Sequence, residues 1–129
     1  MKKIIYSNRA PDAIGPYSQA IVCNGFVFTS GQIPIKKSTG LMIVDDIEAE
    51  VEQIINNLQF VLEEAGSSLE EVIKFTVYLT DMSLFPRLNE VFEKYFVELP
   101  PARSTVEVVS LPKNARVEID AIGFVKTNV

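Results

Sequence analysis

The stretch PPARSTVEV, residues 100–108, sets Arg103 between a proline pair and a run that alternates like a β-strand. The prolines restrict the backbone before Arg103, which lowers the entropy lost when its side chain binds a partner. Glu107, the nearest carboxylate in the stretch, lies about 13 Å away along an extended chain. Because a guanidinium fork suits a carboxylate, Arg103 is predicted to bind an acidic ligand or to pair with Glu107, Glu118 or a neighbouring subunit's acid.

Glu118 lies within VEIDAI, residues 117–122, in an otherwise apolar strand pattern. A carboxylate in such a setting is costly unless it is protonated or has a partner, so we expect a raised pKa or a hydrogen-bonded water. A carboxylate of this kind is able to orient and deprotonate a water molecule. The alternative is a salt bridge with Arg116 or Arg103.

Missing residue types narrow the chemistry further. The sequence has no histidine and a single cysteine, Cys23. Ser–His–Asp and Cys–His catalysis, an ordinary zinc site and an internal disulfide are therefore excluded, and we expect neither a metal nor a cofactor. Cys23 is predicted to be a small strand hydrophobe.

Length and charge predict one globular domain, residues 1–129, with 47% hydrophobic residues and a net charge of −5. Acidity and scattered lysines argue against a nucleic-acid partner. The N-terminus lacks the apolar core of a signal peptide, and the chain has no apolar run of about 18 residues. We therefore expect a cytoplasmic protein without a membrane partner.

The elements that must position these residues follow from turn and periodicity signals. Asn24–Gly25 between two apolar runs predicts a β-hairpin over residues 20–33. Apolar spacing predicts a helix from Ile47 to Ala65, capped by Asp45 or Asp46.

Further along, residues 72–80 alternate as a strand whose apolar face includes Ile73, and a second helix follows, capped by Asp81 or Ser83. Pro100 and Pro101 end it. Strands are then predicted over residues 103–109 and 116–125.

This order predicts an α+β fold with one mixed sheet and both helices on the same face. The opposite face also carries apolar residues, with Phe26 and Phe28 on one parity of the hairpin and Val27 and Ile33 on the other. With no third helix to cover that face, we predict a homo-oligomer whose sheets pack together.

Five motifs, in matching order and spacing over essentially the whole chain, resemble the reactive intermediate deaminase family (RidA/YjgF type): GPYSQA, TSGQIP, LNEVFEKYF, PPARSTVEV and VEIDAI. The resemblance implies a chorismate-mutase-like fold and a homotrimer with sites between subunits. It also implies cofactor-independent hydrolysis of 2-imino or 2-enamino acids, such as 2-iminopropanoate and 2-iminobutanoate, to 2-oxo acids and ammonia.

By the same resemblance, Arg103 binds the substrate carboxylate and Glu118 holds the water. Tyr17, Ser30, Gly31 and Asn89 match pocket-lining positions. Many relatives carry cysteine where this chain has Thr105, so thiol-dependent behaviour is not transferred, although Thr105 is kept among the substrate-binding positions.

The residues leave simpler roles open for three of these positions. Tyr17 follows a turn signal and could pack at a hairpin edge, a simple β-bulge would explain Gly31, and Asn89 could be solvated.

Two other functions compete with hydrolysis. In the first, the same cleft binds a small carboxylate as a sensor or regulator, with Arg103 as anchor and no chemistry at Glu118. In the second, the protein binds or cleaves RNA, which the acidic composition and the missing histidine disfavour.

Overall fold

The hairpin predicted from Asn24–Gly25 is present in the computed structural model, which describes residues 1–126. Strand β2 (Ala20–Cys23) and strand β3 (Phe26–Thr29) flank the turn. Asn24 and Gly25 have φ angles of 51° and 79°, the left-handed values that a type I′ turn requires.

One six-stranded mixed sheet forms the centre of the fold, in the order β1-β2-β3-β6-β4-β5. The other strands are β1 (Lys3–Ile5), β4 (Val72–Leu79), β5 (Ala102–Glu107) and β6 (Val117–Phe124). Only β4 and β5 run parallel, and β6 lies between β3 and β4. The carriers of Arg103 and Glu118, β5 and β6, are therefore both neighbours of β4.

Two helices cover one face of this sheet. Helix α1 (Ile47–Glu64) begins at Asp46, whose side chain accepts a hydrogen bond from the Ala49 amide. Asp45, the alternative cap, instead precedes the helix with a φ of 62°. Helix α2 (Phe85–Tyr95) follows a single 3₁₀ turn (Met82–Leu84), and Asp81 caps that turn by accepting from the Ser83 amide.

The core lies between the helices and the sheet. Fully buried apolar side chains of both layers meet there: Val51, Ile54, Ile55, Leu58 and Leu88 from the helices, and Phe75, Val77, Leu79, Val117 and Ile119 from the sheet. This packing confirms the predicted α+β fold, in which one mixed sheet carries both helices on the same face. No helix in residues 1–126 is long and apolar enough to cross a membrane.

The prediction that Ile73 faces the core is wrong. Val72 pairs with Gly123 and Lys74 pairs with Ile122, so Ile73 is an extra residue with no partner on β6. Such a β-bulge shifts the alternation by one position. Val72 is consequently buried, whereas Ile73 is 42% exposed.

The face of the sheet away from the helices has no covering layer within the described chain. We call it the open face, and it carries Phe26, Phe28, Thr76, Tyr78, Glu118, Asp120, Ile122 and Phe124. Phe26, Phe28 and Phe124 are 42–44% exposed there. The apolar second face predicted from the strand patterns is therefore present.

Candidate functional site

Arg103 lies on the helix-covered side of the sheet, at the edge strand β5. It pairs with the buried Phe75 of β4, and residues paired across a sheet project to the same face. Its guanidinium lies 4.8 Å from the centre of the Phe92 ring and 5.4 Å from that of Phe85. Asn89 accepts a hydrogen bond from the Arg103 Nη2 group. Helix α2 thus supplies two aromatic rings and the side-chain amide of Asn89 to hold the guanidinium.

No carboxylate oxygen in residues 1–126 lies within 4.0 Å of the Arg103 guanidinium. Glu107, one of the acids considered as its partner, instead accepts a hydrogen bond from the Met82 amide. Burial lowers the pKa of Arg103 from its ordinary value. The guanidinium remains charged, since arginine is protonated throughout the physiological range. A half-buried cation of this kind is a suitable anchor for an incoming anion.

A cavity of about 450 Å³ adjoins this cation. Phe92, Phe96, Pro100 and Pro101 form its apolar walls, and Asn89, Glu93 and Arg103 supply polar groups. Its size falls in the range of small-molecule sites. We call this set of residues the arginine half-site.

Glu118 faces the opposite side of the sheet. It pairs with Tyr78 of β4, and its carboxylate lines a second cavity, of about 350 Å³, together with Tyr17, Ser30 and Gly31. Burial is the main cause that raises the pKa of Glu118, and the charge of Asp120 adds to it. We call Tyr17, Ser30, Gly31 and Glu118 the glutamate half-site.

The simple salt bridges considered for Glu118 are not formed within the described chain. Arg116 hydrogen-bonds the buried Glu50 of helix α1 through both Nε and Nη2. Arg103, the other candidate, is on the far side of the sheet. Glu118 is half-buried and lines a cavity without a cationic partner in residues 1–126.

Gly31 allows the Glu118 carboxylate to approach the backbone. A Cβ atom at position 31 would stand 2.0 Å from Oε2 of Glu118, closer than any real contact. The glycine is thus explained by the glutamate beside it. The β-bulge considered for Gly31 is also compatible with the pairing, because the bridge between Gln32 and Ile119 is one position out of register with the pair Phe28–Ile122.

Tyr17 and Ser30 line the same cavity, but their hydroxyl groups are held by different hydrogen bonds. The Tyr17 hydroxyl accepts a hydrogen bond from the Ile14 amide at 3.3 Å, and Tyr17 is 47% exposed. The Ser30 hydroxyl donates to the Ser18 carbonyl at 2.7 Å. Ser30 therefore ties the end of β3 to the loop that carries Tyr17.

Thr105 lies two residues beyond Arg103 on β5 and projects to the same face, since it pairs with Val77. It is half-buried and does not line either half-site cavity. Its place among the substrate-binding residues stays a prediction.

The two half-sites share no lining residue and open on opposite faces of one sheet. Arg103 pairs with Phe75 and Glu118 with Tyr78, and Phe75 and Tyr78 are three residues apart on a regular part of β4. An odd separation along a strand reverses the face. One chain therefore cannot place both side chains on one small substrate.

Sequence reasoning missed two contributors to these half-sites. Phe92 is a buried apolar residue of α2 whose ring also lies against the Arg103 guanidinium. Asp120 lines the glutamate half-site cavity. The sequence does indicate that Asp120 lies beside Glu118, because residues two apart on a strand share a face.

Comparisons with known proteins agree over nearly the full chain. The family described as Endoribonuclease L-PSP matches residues 7–125. The chloroplastic Reactive Intermediate Deaminase A of Arabidopsis thaliana is 40% identical over 94% of this chain and 65% of its own length. The structure of RidA from an Antarctic Psychrobacter species is 41% identical, with a TM-score of 0.91 over 95% of this chain and 99% of that one. The structure of E. coli TdcF with bound serine is 39% identical, with a TM-score of 0.91 over 96% and 99%.

Proposed function

Because the chain belongs to the RidA/YjgF (L-PSP) family, which includes reactive intermediate deaminases, we propose that it hydrolyses 2-imino and 2-enamino acids to 2-oxo acids and ammonia. The proposed substrates are small, such as 2-iminopropanoate and 2-iminobutanoate, and the reaction uses no cofactor. The observation that carries the proposal is the Arg103 guanidinium, half-buried against aromatic rings beside a cavity and without a carboxylate partner within residues 1–126.

Arg103 is proposed to bind the substrate carboxylate. Asn89 engages Nη2, and the guanidinium has further N–H groups for a two-point contact with a carboxylate. The carboxylate adjoins the imine carbon in a 2-imino acid, so fixing it also fixes the reacting atom.

Glu118 is proposed to handle the protons. It takes a proton from water as the water oxygen bonds to the carbon of the protonated imine, whose C=N electron pair moves onto nitrogen, and a neutral carbinolamine forms. The proton held by Glu118 then passes to the amino nitrogen, the C–N bond breaks with its electron pair leaving on ammonia, and the hydroxyl returns its proton to Glu118 to give the 2-oxo acid. The raised pKa of Glu118 suits a group that must first accept and then donate.

The two roles require a second copy of the chain, since the half-sites open on opposite faces of the sheet. We propose a homotrimer in which the arginine half-site of one subunit meets the glutamate half-site of the next. Three phenylalanines of the open face, 42–44% exposed in the single chain, support an interface there: Phe26, Phe28 and Phe124. Patches of this kind mark association surfaces.

The alternative is a sensor that binds a small carboxylate at Arg103 without chemistry. The two functions separate at Glu118. A dehydratase acting on serine supplies 2-iminopropanoate, and semicarbazide competes with hydrolysis by trapping it. We expect the wild-type protein to suppress the trapped adduct and Glu118→Ala to lose that effect while still binding a 2-oxo acid. Equal trapping with both proteins would reject hydrolysis and leave the sensor.

A further inference from the structure

Asp120 lines the same cavity as Glu118, and none of the proposed chemical steps uses it. The two acids are two residues apart on β6, so their Cα atoms are about 7 Å apart on one face. Asp120 is half-buried, and no lysine or arginine nitrogen in residues 1–126 lies within 4.0 Å of its carboxylate.

The neighbouring strand holds the Asp120 side chain in place. The Tyr78 hydroxyl donates to Oδ2 of Asp120 at 3.1 Å, and Thr76 is the residue directly paired with Asp120 in the sheet. Both β4 residues lie on the open face, so the carboxylate is anchored from the side while it still borders the cavity. A tyrosine whose hydroxyl donates to an acid in this way fixes both the place and the orientation of the charge.

We propose that Asp120, held by Tyr78, is a positioning residue that acts through Glu118 in the proton-transfer steps. This inference rests on the proposed function. The physical basis is that a fixed negative charge on the same wall of a partly dehydrated cavity disfavours ionisation of Glu118. Glu118 then retains a proton taken from water for long enough to return it to the departing nitrogen.

The groups around Asp120 act on its ionisation in opposite directions. Burial is the largest effect and raises its pKa, while hydrogen bonds from Tyr78 and Thr76 and the charge of Lys74 lower it and favour the charged carboxylate that this role requires. Strand β3 contributes no titratable side chain to this part of the open face. The charged and titratable groups that face the pair are therefore Lys74 and Tyr78 from β4, Tyr17 from the loop, and, in the proposed trimer, Arg103 of the next subunit.

Neutralising Asp120 tests the proposal. Asp120→Asn keeps an oxygen that accepts from Tyr78 but removes the charge, and Asp120→Ser removes the charge with a smaller side chain. In both variants we expect the acidic limb of the pH profile of kcat/KM to move down by about one pH unit. The carboxyl carbon of Glu118, followed by NMR in labelled protein, should titrate at a correspondingly lower pH. Glu64→Gln, at an exposed residue that ends α1, makes the same charge change away from the cavity and should leave both readouts in place.

The outcomes separate the two proposals. If the Asp120 variants fold and lose activity equally at every pH, with the Glu118 titration unmoved, Asp120 is only structural and the inference is wrong. If the wild-type protein does not hydrolyse imines, the proposed function is lost. The NMR titration then still decides whether Asp120 controls the protonation of Glu118.

Discussion

Arg103 and Glu118 project from opposite faces of the same sheet, each paired across to β4 but at positions of opposite parity. The first lies beneath helix α2 against Phe92, and the second lies on the open face beside Gly31. In the proposed reaction, each chain therefore supplies only one half of any given site.

Mixing two inactive variants should restore activity. Arg103→Ala keeps an intact glutamate half-site, and Glu118→Ala keeps an intact arginine half-site. When the two are co-refolded at equal amounts into closed rings, about a quarter of the sites should receive both intact halves. The trapped-adduct assay measures the recovery. If each site were built within one chain, mixing the variants would restore no activity. Each variant refolded alone is the control.

Gly31→Ala should remove activity while leaving the fold in place. The new Cβ atom would meet Oε2 of Glu118 at 2.0 Å, and the flexible carboxylate is the group that must move. We expect kcat/KM to fall nearly as far as in Glu118→Ala. The double variant Gly31→Ala/Glu118→Ala should be no worse than Glu118→Ala alone, because the glycine acts through the glutamate. Additive losses in the double variant would contradict this explanation.

Asn89→Leu should weaken binding of the acid group. It removes the oxygen that accepts from Arg103 and leaves the guanidinium held only by aromatic contacts. We expect the Kd for 2-oxobutanoate, the proposed product, to rise about tenfold in calorimetry, as for one lost hydrogen bond to a charged group. Asn56→Leu makes the same change at an exposed position of α1 and should leave the Kd unaltered.

Phe28→Glu should dissociate the proposed trimer. It places a charge at the centre of the open face, next to Ile122. Burying an unpaired carboxylate in an apolar interface is strongly unfavourable. Sedimentation velocity should show smaller species with the native fold. Leu41→Glu, at a residue that is 70% exposed in a loop, is the matched change outside the open face, and loss of assembly in both variants would remove the case for this interface.

Arg116→Ala should destabilise the fold far more than loss of a surface ion pair. Glu50 is 1% exposed and would keep a buried carboxylate without its partner, which costs about 3 kcal/mol of unfolding free energy. Arg87→Ala breaks an exposed ion pair, in which the Arg87 side chain is 52% and the Glu48 side chain 39% exposed. This variant should lose only about 0.5 kcal/mol of unfolding free energy. Urea unfolding of both variants provides the comparison, and equal losses would show that burial of Glu50 does not matter.

Local chemistry explains which parts of the fold were predictable from the sequence. The Asn24–Gly25 turn and the Asp46 cap depend on residues next to one another in the chain, and both predictions are confirmed. The orientation of Ile73 was not predictable in this way. It depends on the pairing of β4 with β6, where the bulge appears, and no pattern within residues 72–80 reveals it.

The same difference between local sequence and strand pairing applies to the candidate site. Arg103 was singled out because two prolines precede it and no carboxylate lies close to it in its stretch, and Glu118 because it lies in an otherwise apolar strand pattern. Their opposite faces depend on the parallel register between β4 and β5, which is set only when the chain packs. Asp120 shared the parity of Glu118 in the sequence, but its anchor, Tyr78, lies on a different strand.

The open face also bears on how such a protein can change over generations. In the proposed ring, the surface that holds the copies together carries Glu118, so any substitution that adjusts subunit affinity also shifts an acid relative to the neighbour's cation. Because every copy is identical, one altered codon changes three junctions at once. Selection for assembly and selection for turnover therefore act on the same few square nanometres and cannot be relaxed separately.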